Sequence, residues 1–283
     1  MNRQGSKDNP RGGIEWTHIL GPRTGATANP VSGCEHRCLW KMPDGKVAQC
    51  YAKTTALRFP GERYRRGFEV LNFWPDELEE IRQTKAPRGI FIDSMSDLFG
   101  RNVKTLWIDQ VILTMADCPR HVFFSLTKNP SRFLEFRSAT WPANWLVGIS
   151  APPTFMFGRE LSLEQQRAWL KRGLEFLRDA PAKLRWISIE PLSFDVADII
   201  GETDCPLDWA VIGAATNGAE CFQPTEKHLT RCLAALNARN VPAFFKGNLD
   251  RRFVQVCGSP WREEFPKCND RTQTRRADDA RFV

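Results

Sequence analysis

No stretch of this 283-residue sequence approaches the roughly 18 to 20 uninterrupted apolar residues that a membrane-spanning helix needs. The first thirteen residues carry Arg3, Lys7 and Arg11 but no apolar centre, so a secretory signal is missing as well. There is no low-complexity tract, and no internal repeat beyond the alternation described below. These absences argue against a helical membrane protein and a secreted one. The expectation is a soluble cytoplasmic protein, in a host cytoplasm if a phage encodes it, with no membrane partner.

An even set of cysteines is also lacking. Nine are present, and an apolar content of 42% over this length is enough to bury a core without covalent staples. Reduced thiols are therefore expected rather than a disulfide framework. Cys118, Cys205, Cys221, Cys232, Cys257 and Cys268 are scattered without ligand-like spacing and read as small buried hydrophobes or free thiols. Cys34, Cys38 and Cys50 differ, because they fall in one short segment bounded by glycine and proline.

The net charge of +7 is unevenly placed, since residues 1–75 hold twelve Lys and Arg against six Asp and Glu. A polyanionic partner such as DNA fits that excess, although basic surfaces are also common without one.

Short β-branched or aromatic runs alternate with longer amphipathic stretches, the pattern of βα units around a parallel sheet. Strands are expected at 89–93, 121–126, 144–150, 184–189, 208–213 and 242–246, each nearly continuously apolar, as in a sheet covered on both faces. A further short strand or entry segment is expected at 14–20, followed by a loop over 21–33. Helices are expected at 67–84, 103–116, 131–136, 162–178 and 225–239. The fourth begins at Ser162 with Gln165 three residues on, an N-cap signal, and spaces Leu163, Trp169, Leu170, Leu174 and Leu177 along one side. The fold class is α/β: a partial or near-complete TIM-like βα barrel of six to seven strands over 14–250. A polar leader (1–13) precedes it and an irregular extension (251–283) follows.

In such barrels the site lies at the carboxyl ends of the strands. Those exits read Ser94-Met95-Ser96-Asp97, Thr127-Lys128-Asn129, Ser150-Ala151-Pro152, Glu190-Pro191-Leu192, Ala214-Ala215-Thr216-Asn217-Gly218 and Gly247-Asn248. Three thiolates spaced C-x3-C-x11-C suit a metal centre, and two kinds compete. A closed zinc site needs a fourth ligand, for which His36 is available. A four-iron cluster held by three cysteines leaves one iron open, and a position at the catalytic end of a βα barrel favours it.

At these residues the sequence resembles a phage-associated three-Cys-motif family of radical S-adenosylmethionine (SAM) proteins. The matches are Ile14-Glu15-Trp16-Thr17, Asn29-Pro30-Val31-Ser32-Gly33-Cys34, Cys50-Tyr51-Ala52, Ser94-Met95-Ser96-Asp97-Leu98-Phe99, Leu126-Thr127-Lys128, Ile189-Glu190-Pro191-Leu192 and Lys246. The resemblance spans about residues 14–250. It implies a 4Fe-4S cluster on Cys34, Cys38 and Cys50, with SAM cleaved to a 5′-deoxyadenosyl radical. It places SAM contacts at Ser94, Ser96, Asp97, Ser150 and Glu190, with Tyr51 in the place of an aromatic beside adenine, and requires an electron donor.

Two departures stand out. The usual spacing is C-x3-C-x2-C, whereas eleven residues separate Cys38 from Cys50 and Gln49 precedes the last cysteine. Ala214-Ala215-Thr216 stands where relatives tend to carry a Gly-Gly-Glu type exit. Candidate substrate groups are Lys128, Lys246, Arg63, Arg65 and Arg66; no catalytic residue is singled out. The setting implied is isomerisation of an amino-acid-modified thymidine during phage DNA hypermodification. The alternatives are a radical lyase acting on a nucleic-acid lesion, and a zinc-stabilised nucleic-acid-binding protein without catalysis.

Overall fold

The structure, a computed structural model, describes residues 1–42, 45–217 and 220–267. Eight strands form the main sheet: β1 (Asn2–Arg3), β2 (Gly25–Ala28), β3 (Gly89–Ile92), β4 (Val122–Thr127), β5 (Trp145–Ser150), β6 (Leu184–Ile189), β7 (Trp209–Ile212) and β8 (Ala243–Phe245). Their spatial order equals their chain order. β2 to β8 are parallel, and β1, drawn from the polar leader, is antiparallel to β2. Among the described residues β8 pairs with neither β1 nor β2, so the barrel is not closed by hydrogen bonds. No helix is long and apolar enough to cross a membrane.

The alternation along each strand divides two cores. Ile90, Phe123, Trp145, Val147, Ile187, Ala210 and Phe245 face the helices, while Phe91, Phe124, Leu146, Trp186, Trp209, Val211 and Phe244 face inward. Trp16 sits at the centre of the inner set. Its ring centroid lies 4.8 Å from Phe91, 5.3 Å from Phe124, 5.0 Å from Trp186 and 6.1 Å from Trp209. On a flat sheet β3 and β7, four strand spacings apart, would be separated by roughly 19 Å. One indole touching both therefore requires the sheet to curl around it. Gly148 makes room for that packing, since a Cβ there would meet Trp186 Nε1 at 2.6 Å.

Outside the curl lie α1 (Tyr51–Arg58), α2 (Pro75–Gln83), α3 (Thr105–Asp117), α4 (Leu163–Asp179), α5 (Ala197–Glu202), α6 (Glu226–Ala238) and α7 (Arg251–Val256). α4 starts with a full capping box in which the Ser162 hydroxyl and the Gln165 side chain each accept the other residue's backbone N–H. It buries Leu170, Leu174 and Leu177 completely, at roughly 2 kcal/mol each. Leu163, placed on the same stripe from the sequence, is 56% exposed.

Other expectations need correction. Residues 14–20 are not a strand; Glu15–Thr17 form a 3-10 turn that plugs the amino end of the sheet. The first parallel strand is instead Gly25–Ala28, inside the expected loop. Thr17 lies against its first residue, where a Cβ at Gly25 would meet Thr17 Oγ1 at 2.2 Å. A Gly-Ala-Thr-Ala run carries no strand-like apolar signal. The helix expected over 67–84 begins only at Pro75, because Asn72–Phe73 pair with Val31–Ser32. The segment Pro130–Phe136 is 3-10 rather than α-helical. Of the extension, Arg251–Val256 is helical, capped by Asp250, whereas residues 268–283, including Cys268, and Gly218 of the sixth strand exit lie outside the described residues.

Candidate metal and cofactor site

The period of two that points Phe124, Leu146, Trp186 and Phe244 inward also points their successors inward at the carboxyl ends of the strands: Lys128, Ser150, Glu190 and Lys246. These four line the mouth, and the cysteine-bearing segment crosses it.

That segment leaves β2 through Val31–Ser32 and turns at Gly33, where φ is +91°. A Cβ on Gly33 would lie 2.3 Å from Val70 O, so only glycine lets the chain pass. Beyond it Cys34 N donates to Phe68 O at 2.8 Å, and Ser96 Oγ donates to Gly33 O at 2.6 Å. Within the eleven-residue interval between Cys38 and Cys50, Leu39–Lys41 pairs antiparallel with Val47–Gln49, with Leu39 opposite Gln49, Trp40 opposite Ala48 and Lys41 opposite Val47.

Continuing that ladder by one pair sets Cys38 opposite Cys50. Directly opposed residues of an antiparallel pair share a face, with Cα atoms roughly 4.5–5.5 Å apart. Cys50 packs both with the hairpin residues around Cys38 and with the cluster that holds Cys34 and Met95. All three are free thiols.

Burial raises the pKa of Cys34 well above the usual thiol value, helped by Asp97, Cys38 and Cys50. It pushes Cys38 up to about 12, with Cys50 and Asp97 adding to the effect and Lys128 opposing it. Lys128, over the face of Trp40 at 5.8 Å, is itself desolvated, but Cys38, Cys50, Asp97 and Cys34 outweigh that and raise its pKa. Among the described residues no three His, Cys, Asp or Glu side chains already stand as a finished ligand set. The donor chemistry nevertheless fits a thiophilic metal or cluster: three neighbouring thiols that burial holds protonated, whose thiolate form a bound cation would stabilise and Lys128 partly supports.

The second-strand exit closes on this loop from below. Asp97 is buried; its Oδ2 lies 2.6 Å from His36 Nε2 and accepts Lys128 N at 2.8 Å, while Oδ1 accepts Phe99 N at 3.0 Å. Burial alone would raise its pKa, but these bonds together with the charge of His36 hold it below the ordinary carboxylate value. His36 is 3% exposed, its Nδ1 has no partner among the described residues, and its ring meets Phe157 edge-on at 4.9 Å. Ser94 Oγ donates to Asn29 Oδ1, Tyr51 Oη donates to Ser94 O, and the Tyr51 ring stands 54% exposed at the start of α1.

Across the mouth Ser150 is buried, and Lys246 Nζ pairs with Glu190 Oε2 at 3.1 Å. Glu15 joins that pair: its Oε1 accepts Gly247 N, and its charge acts on both partners. Burial raises the pKa of Glu190, with Lys246 opposing. Asn248 takes over Ala214, accepting its N–H at 3.1 Å and donating to its carbonyl at 2.7 Å.

The structure thus gathers Cys34, Cys38, Cys50, Tyr51, Ser94, Ser96, Asp97 and Lys128 on one side of the mouth, and Ser150, Glu190 and Lys246 on strands across it. Arg63 is not available as a phosphate clamp. It donates to Asn29 O at 2.8 Å, pairs with Glu77 at 2.6 Å and stacks on Trp74. Arg65 and Arg66 are exposed.

Sequence reasoning missed the Asp97 partnership of His36, and it missed Glu15 and Asn29 as polar partners and the hairpin itself. The hairpin had a signal: Leu-Trp-Lys and Val-Ala-Gln flank Met42-Pro43-Asp44-Gly45, a turn composition.

Curled parallel sheet and thiol-lined mouth define an α/β protein with a candidate metal centre at the carboxyl ends of its strands. The chain belongs to the family described as "Protein of unknown function (DUF5131)", which matches residues 11–258. Among curated proteins none matches. The chain is similar to spore photoproduct lyase complexed with dinucleoside spore photoproduct, at 10% identity and a TM-score of 0.46, over 76% of this chain and 74% of that one. It is also similar to a doubly substituted spore photoproduct lyase with bound AdoMet and dinucleoside spore photoproduct, at 10% identity and a TM-score of 0.42, over 75% of this chain and 60% of the other.

Proposed function

We propose that this chain is a radical SAM enzyme whose 4Fe-4S cluster is held by Cys34, Cys38 and Cys50. The observation that carries the reading is the register of the Cys38–Cys50 hairpin. It turns an eleven-residue gap in sequence into neighbouring positions in space, which the compact three-thiol set of such a cluster requires.

When bound, cluster and SAM supply one-electron cleavage of the sulfonium bond and an adenosyl-centred radical. The chain's own groups do the rest. Cys34, Cys38 and Cys50 ligate. Lys128 lies close enough to lower the cost of gathered thiolate charge. Ser94, Ser96 and Asp97 offer acceptors to an ammonium, Tyr51 offers a ring face, and Ser150 and Glu190 offer hydrogen bonds to ribose or methionyl groups. Lys246 holds Glu190 in place and offers a cation to substrate. Trp16 and the aromatic residues around it form an apolar floor beneath the mouth.

For the substrate we propose an amino-acid-modified thymidine in phage DNA, isomerised by radical transfer, with an external electron donor. The basic excess of residues 1–75 supports a polyanionic substrate.

One observation favours a second reading. His36 presents Nε2 to Asp97 and leaves Nδ1 free between two cysteines of the loop. A metal-ligating imidazole is oriented in the same way by its carboxylate. A Cys3His zinc centre is therefore the rival.

Anaerobic purification separates the two. About four irons per chain and a visible charge-transfer band, both lost in Cys34→Ala and retained in His36→Gln, support the cluster. One zinc per chain, lost in His36→Gln, overturns it. Incubating reduced enzyme and SAM with modified phage DNA, then digesting to nucleosides for mass spectrometry, tests the substrate. An isomerase leaves the adduct mass unchanged and shifts its retention, and a lyase removes mass.

A further inference from the structure

The surface around α1 combines exposed apolar side chains with a basic excess. Only Ala52, Ala56 and Phe68 anchor it as buried hydrophobic residues, while Leu57 and Phe59 are each 65% exposed and Tyr51 54%. The same segment, residues 51–67, carries Lys53, Arg58, Arg63, Arg65 and Arg66 against a single acid, Glu62. Lys53 is held by Glu69, and Arg63 by Glu77. Arg58, Arg65 and Arg66 have no ion pair among the described residues. The Arg58 guanidinium instead lies 5.2 Å from the Phe59 ring centroid, over its face.

We propose that this face binds an unpaired nucleic-acid strand, with a base stacked at Phe59 and phosphates on Arg58, Arg65 and Arg66. Exposed rings interleaved with unpaired arginines are what a single strand needs, since each base offers a π-face and each step a phosphate. A duplex buries its base faces and would leave Phe59 without a partner. An acidic protein would use the arginines but not the ring. The position also fits a substrate path. Cys50 caps α1, and Phe59 lies nine residues further on, about 13 Å at helical rise, or roughly four nucleotide steps at 3.4 Å each. A strand held there reaches the mouth with a nucleotide a few positions along. The inference rests on the nucleic-acid part of the proposed function and not on the identity of the metal.

The test is fluorescence anisotropy of the full chain with an end-labelled single-stranded oligonucleotide, the matching duplex and polyglutamate, over a salt series. Single-strand binding should exceed the other two. Phe59→Ala should weaken it roughly 5- to 100-fold with an unchanged salt slope. Arg65→Ala/Arg66→Ala should lower the slope of log affinity against log salt by about 1.4. Equal binding of polyglutamate, an unaltered affinity in Phe59→Ala, or dimerisation through this face in sedimentation each overturns the proposal. Metal content, measured in the same variants, should match the parent chain. A failure of strand binding with metal retained is thereby separated from a failure of the site.

Discussion

Gly33→Ala tests whether the geometry beside Cys34 is as tight as the distances say. The new Cβ would stand 2.3 Å from Val70 O, 2.8 Å from Val70 C and 3.0 Å from Phe68 O, all backbone atoms that cannot rotate away. Overpacking of this kind costs about 1–3 kcal/mol, and forcing a side chain into a left-handed φ adds about 1–2 kcal/mol. The sum, about 2–5 kcal/mol, should lower Tm by roughly 3–8 °C in a chain of this size. Gly21→Ala is the control: φ is +113° there, yet no atom lies within 4 Å of the added carbon. It should show the backbone cost alone, a drop of about 2–3 °C. Calorimetry of both variants gives the difference, and metal content of Gly33→Ala should fall because the same turn places Cys34. Equal melting temperatures for the two variants, or full metal content in Gly33→Ala, would refute the reasoning.

Other perturbations address the buried charges. Burial, with Arg120 adding to it, lowers His121 to about 4, so the folded state keeps the ring neutral where the unfolded chain binds a proton. Its contribution is fully present above about pH 6.5 and is lost as pH falls toward 4, by roughly 2–3 kcal/mol in all. Denaturant melts at stepped pH should show that decline, and His121→Asn should flatten it while still offering an acceptor to Arg88 N. Lys246→Met should cost about 3 kcal/mol by leaving Glu190 and Glu15 unbalanced. Adding Glu190→Gln should restore part of that loss. Strict additivity in this cycle would mean that the two side chains do not interact.

The strands with long apolar runs were legible, because a strand covered on both faces must be apolar throughout: Leu184–Ile189 has the expected bounds, and the other five shift by a single residue at one or both ends. The Gly-Ala-Thr-Ala strand was not, since its small residues carry too little apolar area to signal a strand. Among site residues, those at strand exits could be placed by counting, as with Lys128 and Glu190. His36 could not, because its partner Asp97 is 61 residues away and no local pattern joins them. The loss of Arg63 as a surface cation has the same origin, a contact with Glu77 that only the folded turn creates.

The hairpin between Cys38 and Cys50 has an evolutionary consequence. Because the two cysteines are matched by register, residues added in pairs, one to each arm, lengthen the finger without moving its base. Interval length can drift among descendants while the two cysteines stay together at the base of the finger. A signature search keyed to fixed intervals would overlook such relatives, and one keyed to the cross-strand match would find them.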